Sequence, residues 1–332
     1  MRIVVAPDKF RGTVSAAECA EALAAPLRDA GHDVVVHPMA DGGEGTLEAL
    51  GGPNRRTLVS GPGGDPVEAE WRLQGRQAVI EMAQASGLVL AGGPEGNDAV
   101  AASTHGTGEL IAAALDAGAN DIVVGVGGSA TTDGGLGALR ALYPVHRLRG
   151  VRLTVACDVR TRFVDAARDF APQKGATAAE VRLLERRLER LVQVYMEEYG
   201  VDVSELEGGG AAGGLAGGLA CVGGELVGGF DLVAERLDLD AEVEGADLVV
   251  TGEGFLDEES FDGKVVGGMV DMAGHFDTPV VAVVGEAFDG ADDLVHTVSL
   301  TSRFGREAAM ERTAELLAQV APELARLDQR GS

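Results

Sequence analysis

The chain has 332 residues and 45% of them are apolar, which is enough to bury the core of one large or two ordinary domains. Its formal net charge of −26 disfavours nucleic acid and anionic membrane surfaces as partners, because both are bound through clusters of Lys and Arg. The three cysteines are far apart and form no Cys-x-x-Cys pair, and no apolar run reaches the ~18 residues of a membrane span. These features favour a cytoplasmic protein with free thiols over a secreted, zinc-binding or membrane protein.

The N-terminal segment shows a strand–helix–strand pattern. Ile3–Ala6 is a β-branched run typical of a buried strand, and Asp8 follows too soon for a signal peptide. Helical spacing over Ser15–Ala30, which opens with a capping box, predicts a helix. A second strand is expected at Val34–His37. This order predicts parallel pairing of the two strands.

The middle of the chain changes character near residue 56. Gly and Pro interrupt alternating segments at Glu68–Leu73 and Ala78–Met82, which predicts hairpins and a domain boundary. Further along, the pattern predicts a helix, two strands and a long charged helix, in the order Thr104–Ala117, Asp121–Gly125, Val151–Ala156 and Thr177–Tyr199.

The α/β alternation returns after Gly245. The predicted elements are a strand at Ala246–Thr251, a helix at Gly263–Ala273, strands at Pro279–Val284 and Leu294–Leu300, and a helix at Gly305–Leu317. With the two N-terminal strands these make five, enough for a flavodoxin-like sheet. We therefore predict a discontinuous flavodoxin-like α/β domain formed by residues 1–55 and 245–332, with an α/β domain inserted at residues 56–244.

Three segments combine glycine with carboxylates directly after predicted strands, namely Ala40–Thr46, Gly125–Gly137 and Thr251–Asp257. Ligands of open α/β sheets bind at the carboxyl ends of the strands, where glycine lets backbone N–H groups face an anion. Acidic side chains there can hold Mg²⁺ or accept a proton from an attacking hydroxyl. One such segment would be explained by a tight turn, but three together favour a functional site.

Two rival nucleotide-binding patterns fit poorly. The start of Gly125–Gly137 matches a loose dinucleotide fingerprint, but no acid lies between Asp133 and Asp158 to bind the ribose of NAD. A Walker A motif is also disfavoured, because Lys264 is followed by Val265 instead of Ser or Thr.

Lysine is scarce and its placement is suggestive. The chain has only three lysines, against 24 arginines, and each lies beside a Gly-rich or acidic segment: Lys9, Lys174 and Lys264. A lysine ammonium is a compact charge that suits phosphate. The acidic composition itself has two open explanations, adaptation to high salt or an ordinary acidic protein from a GC-rich genome.

Seven motifs, in order along nearly the whole chain, resemble the type I glycerate kinase family: Ala6–Gly12, Ala40–Thr46, Gly125–Gly137, Ala156–Val159, Pro172–Ala176, Gly210–Gly218 and Thr251–Lys264. The resemblance implies a flavodoxin-like domain with a second α/β domain inserted. It also implies phosphorylation of glycerate with ATP and Mg²⁺. The implied product is 2-phosphoglycerate from D-glycerate, with 3-phosphoglycerate still open.

The sequence departs from the family pattern at several places. Arg11 stands where the family usually has Lys, and Phe255 where it usually has Arg. The segment Leu139–Arg152 looks short, and Asp158–Phe170 looks trimmed and lacks the usual Asn-Pro. These departures bear on substrate details more than on the reaction class.

The motifs that carry the resemblance also supply the candidate site. The catalytic candidates are Asp8, Lys9, Asp41, Asp133, Asp257 and Lys264, with Asp8 or Asp257 as the general base. The candidates for the ATP phosphates are Gly127, Gly128, Ser129, Thr131, Gly134 and Gly135. The candidates for substrate binding are Arg11, Glu44 and Lys174, and those for the metal are Asp41, Asp133 and Glu253.

Three other functions stay open on the sequence. They are a kinase of another small hydroxy acid, an NAD-linked oxidoreductase, and a non-catalytic sensor of sugar acids. The expected partners are small molecules, glycerate and ATP, and a homodimer is left open.

Overall fold

The computed structural model describes residues 1–327, which divide into two compact units. The first unit consists of Met1–Asp41, Glu48–Leu50 and the chain from Gly229 onwards. The second consists of Gly42–Leu47 and Gly51–Gly228. These bounds differ from the predicted ones at both ends of the insertion, since residues 42–47 and 51–55 lie in the second unit and residues 229–244 lie in the first.

Within the described residues the strands, numbered in chain order, are β1 (Arg2–Val5), β2 (Asp33–Val36), β3 (Arg55–Ser60), β4 (Pro66–Gln74), β5 (Gln77–Glu81), β6 (Asp121–Gly125), β7 (Arg152–Ala156), β8 (Gly224–Val227), β9 (Leu248–Leu256), β10 (Val280–Ala287) and β11 (His296–Ser299). The α-helices are α1 (Ala16–Asp29), α2 (Thr46–Ala49), α3 (Ala83–Ser86), α4 (Gly93–Gly96), α5 (His105–Asp116), α6 (Leu136–Ala141), α7 (Ala166–Phe170), α8 (Ala178–Tyr199), α9 (Ala211–Ala220), α10 (Gly229–Leu237), α11 (Leu239–Glu244), α12 (Val265–His275), α13 (Leu300–Phe304), α14 (Arg306–Glu311) and α15 (Thr313–Leu327). Short 3₁₀ helices occur at Val145–Leu148, Phe163–Asp165, Pro172–Lys174, Glu258–Phe261 and Ala291–Asp293. None of these helices has the length and apolar composition needed to cross a membrane.

The first unit is a parallel sheet covered on both faces. Its strand order is β11-β10-β9-β1-β2, which is the flavodoxin-like order 2-1-3-4-5 when the unit's strands are counted along the chain. Successive side chains of a strand face opposite sides, so Ile3 and Val5 pack with α1 and α15, whereas Val4 packs with α10 to α12. The predicted flavodoxin-like α/β fold is confirmed.

The helices α10 and α11 explain why the first unit begins earlier than predicted. Phe230 and Val233 of α10, and Leu239 and Val243 of α11, are buried in the same core as Val249 of β9. The sequence pattern marked only the next strand, because short helices joined by a turn carry a weak periodic signal.

The second unit contains a mixed six-stranded sheet in the order β3-β4-β5-β6-β7-β8. The predicted hairpins are the antiparallel pairs β3–β4 and β4–β5, while β5 to β8 pair in parallel. The long helix α8 begins with a capping box between Thr177 and Glu180 and buries Leu184, Leu188 and Tyr195. These side chains form a core with α7 that is separate from the core of the sheet.

Two segments differ from the sequence expectation. The predicted helix Gly305–Leu317 is two helices, α14 and α15, which meet at Arg312. The Gly-rich motif Gly210–Gly218 contributes α9, in which Ala212, Gly213 and Gly214 have left-handed backbone angles. Two of these three residues are glycines, which tolerate that conformation, so the stretch can turn sharply inside the core.

Candidate active site

A polar pocket of about 400 Å³ lies in the first unit, beyond the carboxyl end of β1 and against the last residues of β9. These neighbouring strands flank the point at which the strand order reverses, the usual ligand-binding position of a flavodoxin-like sheet. All seven candidate residues that belong to this unit line the pocket: Asp8, Lys9, Arg11, Asp41, Glu253, Asp257 and Lys264. The structure therefore brings this part of the predicted site together, and the role of each residue stays a prediction.

Asp8 is the most buried carboxylate of the pocket, with 8% of its surface exposed. Its Oδ1 accepts hydrogen bonds from the backbone N–H of Lys9 at 2.7 Å and from the Lys9 ammonium at 3.4 Å. The Lys9 ammonium also lies 3.9 Å from a carboxylate oxygen of Asp41. Burial raises the pKa of Asp8 to about 6, with a further rise from Asp41 and an opposing effect of Lys9. A carboxylate with such a pKa can accept a proton near neutral pH.

Glu253 is the second perturbed carboxylate. Burial raises its pKa to about 7; the negative charges of Asp8 and Asp257 add to the rise, and Ser260 and Lys264 oppose it. Its Oε1 is buried and has no hydrogen-bond partner among the described residues. An unsatisfied buried acceptor costs free energy, so this oxygen is suited to a cation or donor from outside the protein.

We expect the substitution Glu253→Gln to stabilise the protein at alkaline pH. Because the folded pKa of about 7 lies above the ordinary value of 4.5, Glu253 makes the folded state less stable as the pH rises between these values. The amide cannot ionise, so the melting temperature of the variant should exceed that of the wild type at pH 8, by at least about 2 °C, and match it near pH 4. Thermal unfolding measured across this pH range tests the expectation, and a variant less stable at pH 8 would contradict it.

Asp257 and Lys264 lie on the rim of the pocket with partners of their own. Asp257 caps the 3₁₀ turn that follows β9, because its Oδ1 accepts from the N–H of Ser260 at 2.9 Å and from the Ser260 hydroxyl at 3.1 Å. The Lys264 ammonium lies 3.6 Å from the Glu259 carboxylate and its side chain is 30% exposed. Which of Asp8 and Asp257 acts as the general base stays a prediction.

The pocket also contains residues that the sequence analysis did not single out. Glu286 comes from the end of β10, Thr301 from α13 and Arg306 from the start of α14. The guanidinium of Arg306 lies 3.9 Å from the Glu286 carboxylate. Glu286 could have been found by applying the carboxyl-end rule to this strand, whereas Arg306 had no local signal.

In the second unit, Asp133 holds the segment Gly125–Gly137 in place through hydrogen bonds. Its two carboxylate oxygens accept hydrogen bonds from Thr104 N–H at 2.9 Å, from the Thr104 hydroxyl at 2.9 and 3.1 Å, and from Gly135 N–H at 3.0 Å. Gly137 N–H donates at 3.2 Å to the same carboxylate. These hydrogen bonds hold the segment in place, and the metal-binding and catalytic roles of Asp133 stay predictions.

Lys174 also stabilises this segment through hydrogen bonds. It is 3% exposed, and its ammonium donates to the Ser129 hydroxyl at 2.8 Å and to the Thr131 carbonyl at 2.6 Å. Burial lowers its pKa to about 7, and the Asp133 carboxylate partly opposes this. The sequence predicted that Lys174 binds substrate, but its buried ammonium contacts the loop instead of open space.

The glycines of the segment permit close backbone contacts. A Cβ on Gly127 would lie 2.5 Å from the Cα of Gly43, and Gly128, Gly134 and Gly135 have φ values of 69°, 67° and 80°. The buried hydroxyls of Thr131 and Thr132 have no partner among the described residues. This segment therefore keeps polar groups available for a ligand.

Glu81, at the end of β5, is a buried residue that the sequence analysis missed. Its Oε1 accepts from the N–H groups of Gly45 and Leu47 at 3.0 and 2.8 Å, and so it positions the segment that carries the exposed Glu44. Burial raises the pKa of Glu81, and these two hydrogen bonds oppose the rise. No spacing rule predicts this contact, because Glu81 is 34 residues from Leu47.

Among residues 1–327, no three or more His, Cys, Asp or Glu side chains are grouped so that they could hold a metal ion by themselves. The carboxylates of the first unit could supply one or two ligands to an ion that keeps waters and phosphate oxygens as its other ligands, which is the usual situation of Mg²⁺. The unpartnered Oε1 of Glu253 fits such an ion.

The fold and this pocket are those of an α/β enzyme, with polar side chains at the carboxyl ends of parallel strands. A sequence model described as the glycerate kinase family matches residues 3–145 and 143–329. The chain is 38% identical to a glycerate 2-kinase of Escherichia coli K12 over 87% of this chain and 86% of that protein. It is 36% identical to a glycerate kinase of Bacillus subtilis 168, over 98% and 97% of the two chains.

A crystal structure of a candidate glycerate kinase 2 from Salmonella typhimurium LT2 has a TM-score of 0.82 to this chain at 35% identity, and the match covers 99% of both chains. The chain belongs to the glycerate kinase family, as its seven motifs indicated. It is accordingly an enzyme, a glycerate kinase.

Proposed function

We propose that the enzyme transfers the γ-phosphoryl group of ATP to the 2-hydroxyl of D-glycerate, in the presence of Mg²⁺, and releases 2-phosphoglycerate and ADP. The observation that carries this proposal is the acidic pocket of the first unit, where a buried carboxylate of raised pKa lies beside a lysine. The E. coli relative described as a glycerate 2-kinase supports the choice of hydroxyl. A reaction that consumes ATP also suits the cytoplasm.

Asp8 acts as the general base in this proposal. The oxygen of the substrate hydroxyl attacks the γ-phosphorus, the bond from that phosphorus to the bridging oxygen of ADP breaks, and the hydroxyl proton passes to Asp8. A pKa of about 6 leaves Asp8 ionised at neutral pH while keeping it basic enough to take the proton. Lys9 orients this carboxylate through the contact at 3.4 Å.

Positive side chains of the same pocket neutralise the anionic substrates. Arg11 and Lys264 line it and are assigned to the glycerate carboxylate and the transferred phosphate. Glu253 and Asp41 would hold Mg²⁺, which supplies positive charge at the phosphate oxygens. Asp133 is assigned to bracing the loop instead, because its carboxylate already accepts hydrogen bonds from several loop donors.

The Gly-rich segment of the second unit is assigned to the ATP phosphates. Its glycines, the Ser129 hydroxyl and the unpartnered Thr131 hydroxyl are polar groups of the kind that bind phosphate. Lys174 places a positive charge under the same loop, so it is a positioning residue that also favours an anion above it.

We expect Lys174→Met to lower kcat/KM for ATP about 10-fold or more. The pKa of Lys174 in the free enzyme is about 7, so its positive charge is lost as the pH rises through 7, and kcat/KM for ATP should fall over this pH range. The kcat/KM of the methionine variant should not show this fall. A wild-type pH profile without the fall, or a variant with unchanged kcat/KM, would contradict the assignment.

The proposed function is tested by an assay that couples ADP formation to a colour change, with D-glycerate as acceptor. Phosphorus NMR of the product separates 2-phosphoglycerate from 3-phosphoglycerate. L-glycerate and a panel of small hydroxy acids serve as controls, and a salt series addresses the acidic composition. Faster turnover of another hydroxy acid, or a 3-phosphoglycerate product, would overturn the proposal.

A further inference from the structure

A second cavity, of about 410 Å³, lies in the second unit against helix α8. One wall is formed by Thr132 and Leu136, at the end of the Gly-rich segment, and the other by Leu183 and Leu191 of α8. Its volume lies within the range of small-molecule sites, which are concave and mostly apolar with a few polar groups. The proposed mechanism uses none of these side chains.

Three arginines of α8, Arg186, Arg187 and Arg190, border this cavity. Their spacing places them on one face of the helix, since residues three and four apart are neighbours there. Arg187 donates to the Val100 carbonyl at 2.8 Å, and Arg190 donates to the side-chain oxygen of Gln193 at 2.5 Å. Among residues 1–327 none of the three exposed guanidinium groups forms an ion pair with a carboxylate, although the net charge of the chain is −26. Exposed guanidinium groups without an ion pair in so acidic a protein are open to an anion from outside.

The floor of the cavity adds a polar group without a partner. Thr132 is 2% exposed, and its hydroxyl is buried with no hydrogen-bond partner among the described residues. A buried hydroxyl left unsatisfied is costly, so a ligand that can hydrogen-bond to it would be favoured. The neighbouring carboxylate of Asp133 is already engaged by loop donors.

We propose that this cavity binds the adenine nucleoside of ATP. The apolar walls suit a flat heteroaromatic ring, and an arginine guanidinium stacks on such rings as well as binding phosphate. A simple inorganic anion would not need the leucine walls, and an apolar ligand would not need the arginines. This inference rests on the proposed function, because Thr132 belongs to the segment assigned to the ATP phosphates.

The test measures nucleotide binding directly, by titration calorimetry with ADP in the absence of glycerate. Arg186→Glu reverses one charge at the cavity, and Leu183→Trp fills it. Arg182→Glu makes the same charge change one turn earlier on α8, at an exposed position outside the cavity. We expect the two cavity variants to bind ADP at least about 10-fold more weakly, with the KM for glycerate unchanged, and Arg182→Glu to bind within about twofold of the wild type.

The outcomes separate the two proposals. If the wild type phosphorylates glycerate but the cavity variants bind ADP normally, the cavity assignment is wrong and the function stands. If the wild type binds ADP in a cavity-dependent way but does not phosphorylate glycerate, the function fails instead. Inorganic tripolyphosphate is the second probe, and equal loss of tripolyphosphate and ADP binding in Leu183→Trp would overturn the adenine assignment. Should Arg186→Glu fail to fold, as judged by circular dichroism, Leu183→Trp decides alone.

Discussion

Replacing Asp8 with Asn should lower kcat/KM for glycerate more than ~100-fold, the loss typical of a missing general base. The amide keeps the shape of the side chain but cannot take the hydroxyl proton. Because burial raises the pKa of Asp8 to about 6, its ionised form is costly in the folded protein at neutral pH. Activity and stability should therefore change in opposite directions, and the variant should melt at the same or a higher temperature than the wild type at pH 8.

Glu258→Gln is the matched control for Asp8→Asn. Glu258 is an exposed acid that follows β9 and does not line the pocket. It changes the net charge by the same amount, so its kcat/KM should stay within about twofold of the wild type. Near-native kcat/KM in Asp8→Asn, or an equal loss in both variants, would exclude Asp8 as the base.

Gly213→Ala should greatly lower the free energy of unfolding, because the new side chain would overlap the Gly-rich loop of the second unit. Gly213 has a φ of 65°, and an added Cβ would lie 2.0 Å from the Thr131 carbonyl oxygen and 2.6 Å from the Cα of Thr132. The Gly213 carbonyl also accepts a hydrogen bond from Gly134 N–H at 3.0 Å. Backbone strain and steric overlap together should cost roughly 3–5 kcal/mol, measured by urea unfolding.

Gly223→Ala separates these two causes. Gly223 has a φ of 93°, but nothing lies within 4 Å of its added Cβ. It should cost only about 1–2 kcal/mol, from the left-handed backbone alone. Folded Gly213→Ala, assayed below its melting transition, should also show a higher KM for ATP, because the displaced Thr131 belongs to the segment assigned to the phosphates. Equal losses of stability in the two variants would show that the overlap is relieved at little cost.

Much of the fold could be predicted because local patterns agreed with the tertiary structure. The capping boxes at Ser15 and Thr177 start α1 and α8 as expected. The predicted strand Asp121–Gly125 is β6 without change of bounds. The bounds of the two units were less predictable, since residues 42–47 and 229–244 are assigned by packing and not by pattern.

The sequence by itself determined which side chains of the first unit would meet. Asp8, Asp41 and Glu253 each follow or end a strand that it predicted, and parallel strands bring their carboxyl ends to one edge of the sheet. Only the tertiary structure decided what Asp133, Lys174 and Glu81 do, because their hydrogen-bond partners lie between 2 and 45 residues away along the chain. Burial also shifts the pKa values of Asp8 and Glu253, and burial depends on packing from every direction, which no single segment specifies.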